Sequence, residues 1–280
     1  MNPNGKAPRR QFLFTIDVDW IPGSQVGLEE LYRFCDEHAL PASLFITGRF
    51  AEAYPALIRE GAARGYQIGT HGWEHGQKGR ASEEDFQRAP YASQREWVER
   101  STEAVEKASG VRPVAFRAPN LWVSETTLRV LEELEYEYDS SVPVRRLTTG
   151  YSRPNSLRYY RAPLGPYRPA RENLGARGSS RVLEIPPSTY FFPINMSALR
   201  VLGLARVLWA VRRVARRAET LVFYSHPAEF VPFAEQEIPG DVPQRFQRGI
   251  GPENFEVLAR FVEYVKGLGY EPALCSQVRA

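Results

Sequence analysis

Three of the four histidines, together with two aspartates and one arginine, stand at the ends of short apolar runs. The first run closes with Thr15-Ile16-Asp17-Val18-Asp19-Trp20. On an extended chain, residues two apart share a face, so Asp17 and Asp19 lie side by side. Two neighbouring carboxylates repel unless a cation or a proton separates them. A later run leads into His71-Gly72-Trp73-Glu74-His75. A spacing of four brings both imidazoles to one side if a helical turn begins there. With one carboxylate they form a three-ligand divalent site with open positions, the arrangement of catalytic rather than structural metal centres. Glu74 would point elsewhere, into solvent. Arg117, in Phe116-Arg117-Ala118-Pro119-Asn120, follows another run and reads as a clamp on one of the acids. His226, in Tyr224-Ser225-His226-Pro227, closes the last long run. His38 has no such setting and receives no role.

These groups suit metal-assisted hydrolysis, in which a divalent cation polarises a carbonyl and activates a water. Two histidines and one carboxylate also describe the facial triad of Fe(II) oxygenases. Here the carboxylate comes first and the HxxxH follows on alternating strands and helices, an order that fits the oxygenases poorly. A binding module without catalysis is the third reading. A pure binder has no need of a proton acceptor and a proton donor beside a metal.

The elements that must position these residues alternate. Strands are expected at residues 12–19, 43–47, 66–70, 114–117, 136–139, 182–185, 221–224 and 271–274. Helices are expected at 27–39, 51–63, 83–109, from the Ser124 cap to 134, 197–217 and 253–266. Alternation implies parallel pairing, because parallel strands need long crossovers. Seven or eight such units favour a single α/β barrel over an open sheet, and active-site groups in such barrels gather at the carboxyl ends of the strands. The expectation is one domain over residues 1–280, with a disordered tail at 1–10 and a long loop insertion at 145–181.

Composition closes off other classes. An apolar fraction of 43% and a charged fraction of 25% are globular values. A net charge of +3 is too small to argue for nucleic acid as a partner. Cys35 and Cys275, the two cysteines, supply no disulfide framework and read as buried thiols. The greasiest window, 196–214, is interrupted by Arg200, Arg206, Arg212 and Arg213, which would be costly in hydrocarbon. No apolar run precedes the first strand, so a cytoplasmic location is expected.

The motifs together resemble the polysaccharide deacetylases, also called the NodB-homology family or carbohydrate esterase family 4. The resemblance runs from about Gln11 to Cys275. Tyr138-Asp139-Ser140-Ser141 and Leu183-Glu184-Ile185-Pro186-Pro187-Ser188-Thr189 look closest to the branch found in exopolysaccharide and lipid-linked sugar loci. The resemblance implies a distorted (β/α)7–8 barrel of the NodB-homology type. It implies Asp17 as the base, and Asp19, His71 and His75 as ligands of a divalent metal ion, with zinc expected. It implies Arg117 as the arginine that holds the base, the Asn120 N–H as an oxyanion donor, and His226 as the general acid. Two departures stand out. One residue separates the first-motif aspartates, which are commonly adjacent. The fourth-motif aspartate that tunes the acid histidine is missing, because Val142-Pro143 follow Ser141, and Glu184 is the candidate replacement.

The activity so implied is removal of an N-acyl group, N-acetyl above all, from an amino sugar. A deformylase of a lipid-linked amino sugar is the nearest rival, since the same motifs would serve it. On a helical wheel of residues 197–217, Val201, Leu204, Val207, Leu208, Val211 and Val214 form the packing face. Arg206, Arg212, Arg213, Arg216 and Arg217 lie opposite, with Leu202 and Trp209. Basic residues mixed with Trp and Leu suit an anionic membrane surface. The extended reading is a nucleotide- or polyprenyl-phosphate-linked substrate and peripheral membrane contact through this helix, at the inner membrane face.

Overall fold

A computed structural model describes residues 10–75, 84–145, 158–232 and 248–279. Most of the expected tail, 1–10, and the stretch 146–157 of the expected loop insertion lie outside the described residues.

Strand β1 (Arg10–Val18) is paired along both of its edges. It pairs in parallel with β2 (Ala42–Ile46) along its upper half and with β12 (Tyr270–Pro272) along its lower half. Its other edge takes β11 (Thr220–Ser225). The full order is β11-β1-β2-β3-β4-β5-β8, with β3 at Gln67–Thr70, β4 at Ala115–Phe116, β5 at Tyr138–Asp139 and β8 at Leu183–Glu184. The curled parallel sheet is the expected barrel wall. Between β8 and β11 the ladder is replaced by the segment 185–195, which carries the short antiparallel pair β9 (Thr189–Tyr190) and β10 (Phe192–Pro193). There the Ser188 N–H donates to the Val222 carbonyl at 3.1 Å, and Asn195 bridges to Tyr224.

The helices are α1 (Ser24–Glu37), α2 (Gly48–Ala53), α3 (Pro55–Ala63), α4 (Tyr91–Ser109), α5 (Glu125–Glu133), α6 (Met196–Leu202), α7 (Leu204–Val214) and α8 (Asn254–Gly267). Ser124 caps α5 as expected, in a reciprocal pair of bonds with Thr127. Two helices differ from the reading of the sequence. The helix expected from 83 begins at Tyr91. The helix expected over 197–217 is two helices, broken at Gly203 with φ 84° and ψ 153°. That break turns Val201 out to 41% exposure, although the wheel placed it on the packing face. Val207, Val211 and Val214 do pack inward. The expected loop also carries structure beyond residue 157: β6 (Pro169–Ala170) and β7 (Asn173–Arg177) form an antiparallel hairpin.

Alternation along each strand sorts the side chains onto two faces. Phe12, Phe14, Ile16 and Val18 pack outward under the helices, with Leu221 and Phe223 of β11. Leu13, Phe45, Ala115, Leu183, Ile185 and Val222 fill the barrel interior. One step or two further along the same strands, the interior face changes from apolar to polar. Thr15 and Asp17 follow Leu13, Arg117 follows Ala115, and Tyr224 and His226 follow Val222. The interior therefore has an apolar floor and a polar mouth, and the mouth lies at the carboxyl ends of the strands.

Candidate active site

Arg117 is fully buried at the mouth and organises one side of it. Its Nη1 donates to Asp17 Oδ1 at 2.6 Å and to Thr15 Oγ1 at 2.8 Å. Its Nε and Nη2 donate to the carbonyl and hydroxyl of Ser140 at 3.0 and 2.7 Å. The guanidinium also lies 4.2 Å from the centroid of the Phe45 ring, so an apolar floor residue supports the cation from below. Burial works against ionisation of Asp17, yet the charges of Arg117, His71 and His226 hold its carboxyl below the usual carboxylate range.

His71 ends β3 on the same interior face. Its Nδ1–H donates to the Arg117 carbonyl at 2.7 Å, which leaves the Nε2 lone pair free to face Asp19 Oδ1, 3.6 Å away. Burial pushes the His71 imidazole down to about 4, so the ring is neutral, the form that binds a metal. His75 sits at φ 58°, a left-handed conformation uncommon outside glycine, and its ring centroid is 5.2 Å from that of His71. The turn that bends His75 back is held by Glu84, whose carboxylate accepts from the N–H groups of Trp73, Glu74 and His75 at 2.7 to 3.2 Å. Gly72 makes the turn possible. Its φ is +70°, and a Cβ there would lie 2.6 Å from Glu84 Oε2. Glu74, as expected, turns away from the histidines and pairs with Arg49 at 2.6 Å.

Asp19, His71 and His75 each present a ligand atom, and these atoms lie within 4.8 Å of one another. Asp19 Oδ1 is buried and accepts no hydrogen bond from the chain among the described residues. An orphaned carboxylate oxygen beside a neutral imidazole is costly unless something completes it. One carboxylate and two imidazoles fit a divalent cation of the zinc class.

His226 closes the mouth on the opposite side. Its side chain is 26% exposed, and Nε2 stands 4.0 Å from both Asp17 Oδ2 and Asp19 Oδ2. Its partner is Glu229, which accepts from the His226 backbone N–H at 2.9 Å and from Nδ1 at 3.3 Å. Burial disfavours the imidazolium, but the hydrogen bond and charge of Glu229, with the fields of Asp19 and Asp17, raise His226 to about 9. Burial likewise opposes the Glu229 carboxylate, and its bond from His226 with the Arg200 charge draws it down to about 2. Arg200 Nη2 and the Ser197 hydroxyl both reach Glu229 Oε1, at 2.8 and 2.7 Å, so α6 anchors the His226 side of the mouth. Helix α1 braces it from the other direction. A Cβ on Gly27 would lie 2.0 Å from the Pro227 carbonyl oxygen, so only glycine lets the helix approach this close.

Five of the residues singled out in the sequence thus converge with Arg117 around one opening: Asp17, Asp19, His71, His75 and His226. Asn120 lies just past Arg117 in the short 3-10 turn Pro119–Leu121, at φ 57°. Glu184 is not the partner of His226. Its neighbours Leu183 and Ile185 both face the interior, so Glu184 points to the outer face, where its Oε1 accepts from the Val142 N–H at 3.0 Å. Glu229 was missed, although its spacing is legible. In His226-Pro227-Ala228-Glu229 the acid stands three residues past the start of a helical turn, the capping-box position from which a carboxylate reaches back. Glu84 left no comparable signal, because its ligands are backbone N–H groups.

The family model for polysaccharide deacetylase matches residues 4–138. A curated relative, the peptidoglycan deacetylase-like protein FGM2 of Gibberella zeae, is 27% identical over 120 residues, 42% of this chain. The chain spans 33% of that relative's length. Among solved structures, a family 4 carbohydrate esterase from Streptomyces lividans in complex with acetate superposes with a TM-score of 0.54 at 14% identity, covering 96% of this chain and 94% of that one. A CE4 family pseudoenzyme from Bacillus anthracis superposes at 0.58 with 11% identity, covering 97% of this chain and 66% of that one. At such identities the likeness is one of fold, and the fold carries both an esterase and a pseudoenzyme.

Proposed function

We propose that this chain, which the polysaccharide deacetylase family model matches over residues 4–138, is a metal-dependent hydrolase that removes an N-acyl group, N-acetyl above all, from an amino sugar. The observation that carries this reading is the convergence at one mouth of a three-ligand cluster, an arginine-held carboxylate and a carboxylate-held histidine. A pseudoenzyme has no use for all three.

Asp19, His71 and His75 would hold the ion. When bound, a divalent cation there supplies Lewis-acid polarisation of the scissile carbonyl and acidifies the attacking water. Asp17 accepts the proton of that water, and Arg117 keeps it ionised and fixes its direction by the bond to Oδ1. The Asn120 N–H is the proposed donor to the oxyanion of the tetrahedral intermediate. His226 delivers a proton from Nε2 to the departing nitrogen, and Glu229 keeps the ring protonated at neutral pH. The two catalytic groups need opposite protonation states, a carboxylate and an imidazolium, and Arg117 and Glu229 set each one separately.

The test is release of acetate from N-acetylated amino sugars, free, nucleotide-linked and polyprenyl-linked, by the zinc-loaded protein, with formate assayed in the same samples. Acetate release that is lost in His71→Ala and His75→Ala supports the reading. Formate in place of acetate would make the chain a deformylase. A folded, metal-loaded protein releasing neither would overturn the hydrolase.

The carrier-linked substrate and the membrane contact rest on a separate surface. Phe191, Val201 and Trp209 are 49%, 41% and 45% exposed. Tyr190 packs edge-on against both Phe191 and Trp209, and Arg213 lies over the Trp209 ring. Residues 190–218 contain no acidic side chain. Exposed aromatics among arginines favour an anionic lipid surface. No helix among the described residues is long and apolar enough to cross a membrane. Co-sedimentation with phosphatidylglycerol vesicles, lost in Trp209→Ala with Phe191→Ala, is the expected result. No binding at low salt would remove the membrane from the proposal and leave the hydrolase intact.

A further inference from the structure

Behind the wall that carries Arg117 lies a second pair of acids that the proposed reaction does not use. Asp139 and Glu184 are Cα partners on the neighbouring parallel strands β5 and β8. Paired residues of parallel strands leave the sheet on the same face, here the outer one. Both are buried, at 1% and 0% exposure. Asp139 Oδ1 accepts from the Ser141 hydroxyl, and Glu184 Oε1 from the Val142 N–H. The two remaining oxygens, Asp139 Oδ2 and Glu184 Oε2, accept no hydrogen bond among the described residues. Two ionised carboxyls in such a place would repel and would each lack solvation, whereas one shared proton satisfies both orphaned oxygens. The ionisable groups facing the pair are Arg117 from the sheet and Tyr159 and Tyr167 from the segment packed over it. The guanidinium of Arg117 is already bonded to Asp17, Thr15 and Ser140, and the tyrosines carry no positive charge.

The segment held by this pair touches the catalytic wall twice. Ser140 binds Arg117 through its carbonyl and its hydroxyl, and it anchors itself by donating to the Ile185 carbonyl at 2.7 Å. Ser141 donates to Asp139 while accepting from the Ala118 N–H at 2.8 Å. Ala118 lies between Arg117 and the turn that carries Asn120.

We propose that Asp139 and Glu184 share one proton and, through residues 140–142, position Arg117 and the Ala118–Asn120 backbone for the reaction. They are positioning residues, since neither reaches the mouth. The kinetic part of this inference rests on the hydrolase reading. The protonation part does not.

Burial raises the proton affinity of both acids on folding, Asp139 to about 6 and Glu184 well above its usual range. A carboxyl raised on folding costs the folded state stability as pH climbs from its unfolded value through its folded one. Glu184→Gln preserves shape and carries a permanent donor, whereas Glu184→Ala leaves Asp139 alone in the cavity. In Glu184→Gln the thermal midpoint should fall less between pH 5 and pH 8.5 than in the unsubstituted protein, and kcat at pH 7 should stay within about twofold. Glu184→Ala should lose roughly 10- to 100-fold in kcat with KM and bound zinc unchanged, as expected for a misplaced clamp. Identical pH dependence of the midpoint in Glu184→Gln and the unsubstituted chain would overturn the shared proton, whatever the chain hydrolyses. A kcat loss in Glu184→Gln as deep as in Glu184→Ala, or full kcat in Glu184→Ala, would overturn the positioning role. If no substrate turns over, the midpoint measurement still decides the pair while the hydrolase reading fails on its own assay.

Discussion

Asp17 on the inner face of the wall and the Asp139–Glu184 pair on its outer face are equally buried, yet they are held in opposite states. Asp17 lies below the usual carboxylate range, whereas burial lifts Asp139 to about 6 and Glu184 further. Burial raises all three, so burial does not make the difference. The difference is a cation. Arg117 points its Nη1 at Asp17 from 2.6 Å, while the outer pair has mainly backbone and hydroxyl donors and each other. In the proposed reading the same residue type serves as a base on the inner face and as a proton-holding brace on the outer one.

The largest expected effect comes from removing the inner charge. Asp17→Asn should lower kcat by roughly 10²–10⁴-fold, the range for a general base, with zinc content unchanged by metal analysis. Near-full activity would take Asp17 out of the mechanism and dissolve the contrast. Arg117→Met tests the cation itself. It leaves Asp17 buried without its partner, and unfolding in denaturant should show a loss of about 3–5 kcal/mol at neutral pH. Because Asp17 is depressed on folding, its contribution is present above the unfolded value and fades as pH falls below about 3.9. The gap between the two proteins should narrow in that range; equal stability at pH 7 would show that the pair contributes nothing.

Gly27→Ala places a methyl against the Pro227 backbone, and such overpacking costs about 1–3 kcal/mol. It should lower kcat as well, because His226 precedes the displaced proline. A normal thermal midpoint would mean that α1 does not brace the His226 side. The smallest effect is expected from Glu229→Gln. Loss of the carboxylate lowers His226 from about 9 toward the ordinary histidine value, so the alkaline limb of the rate profile should move to lower pH while the optimum rate changes little. A limb that stays in place would assign the proton donor elsewhere.

The amino-acid sequence was sufficient to single out the residues that converge at the mouth and the class of wall that carries them. Asp17 and Asp19, the HxxxH, Arg117 and His226 all stand at strand ends, and the period-two pattern of each strand already assigns their faces. The same rule was available for Glu184. Leu183 and Ile185 are interior residues, so parity alone points the acid between them outward, away from His226. Glu229 was legible as a capping acid three residues past His226. The break at Gly203 and the start of α4 at Tyr91 were not. A hydrophobic period continues through a kink, and only packing decides where one helix stops.

Proximity between distant positions belonged to the folded chain alone. Strand order brings Arg117 to Asp17 across 100 residues, and the register of β5 with β8 sets two carboxyls against each other across 45. Periodicity along a strand is local, so a sequence can say which way a side chain faces. Which charge it then meets depends on the strand laid beside it, and with it whether the carboxyl keeps its proton.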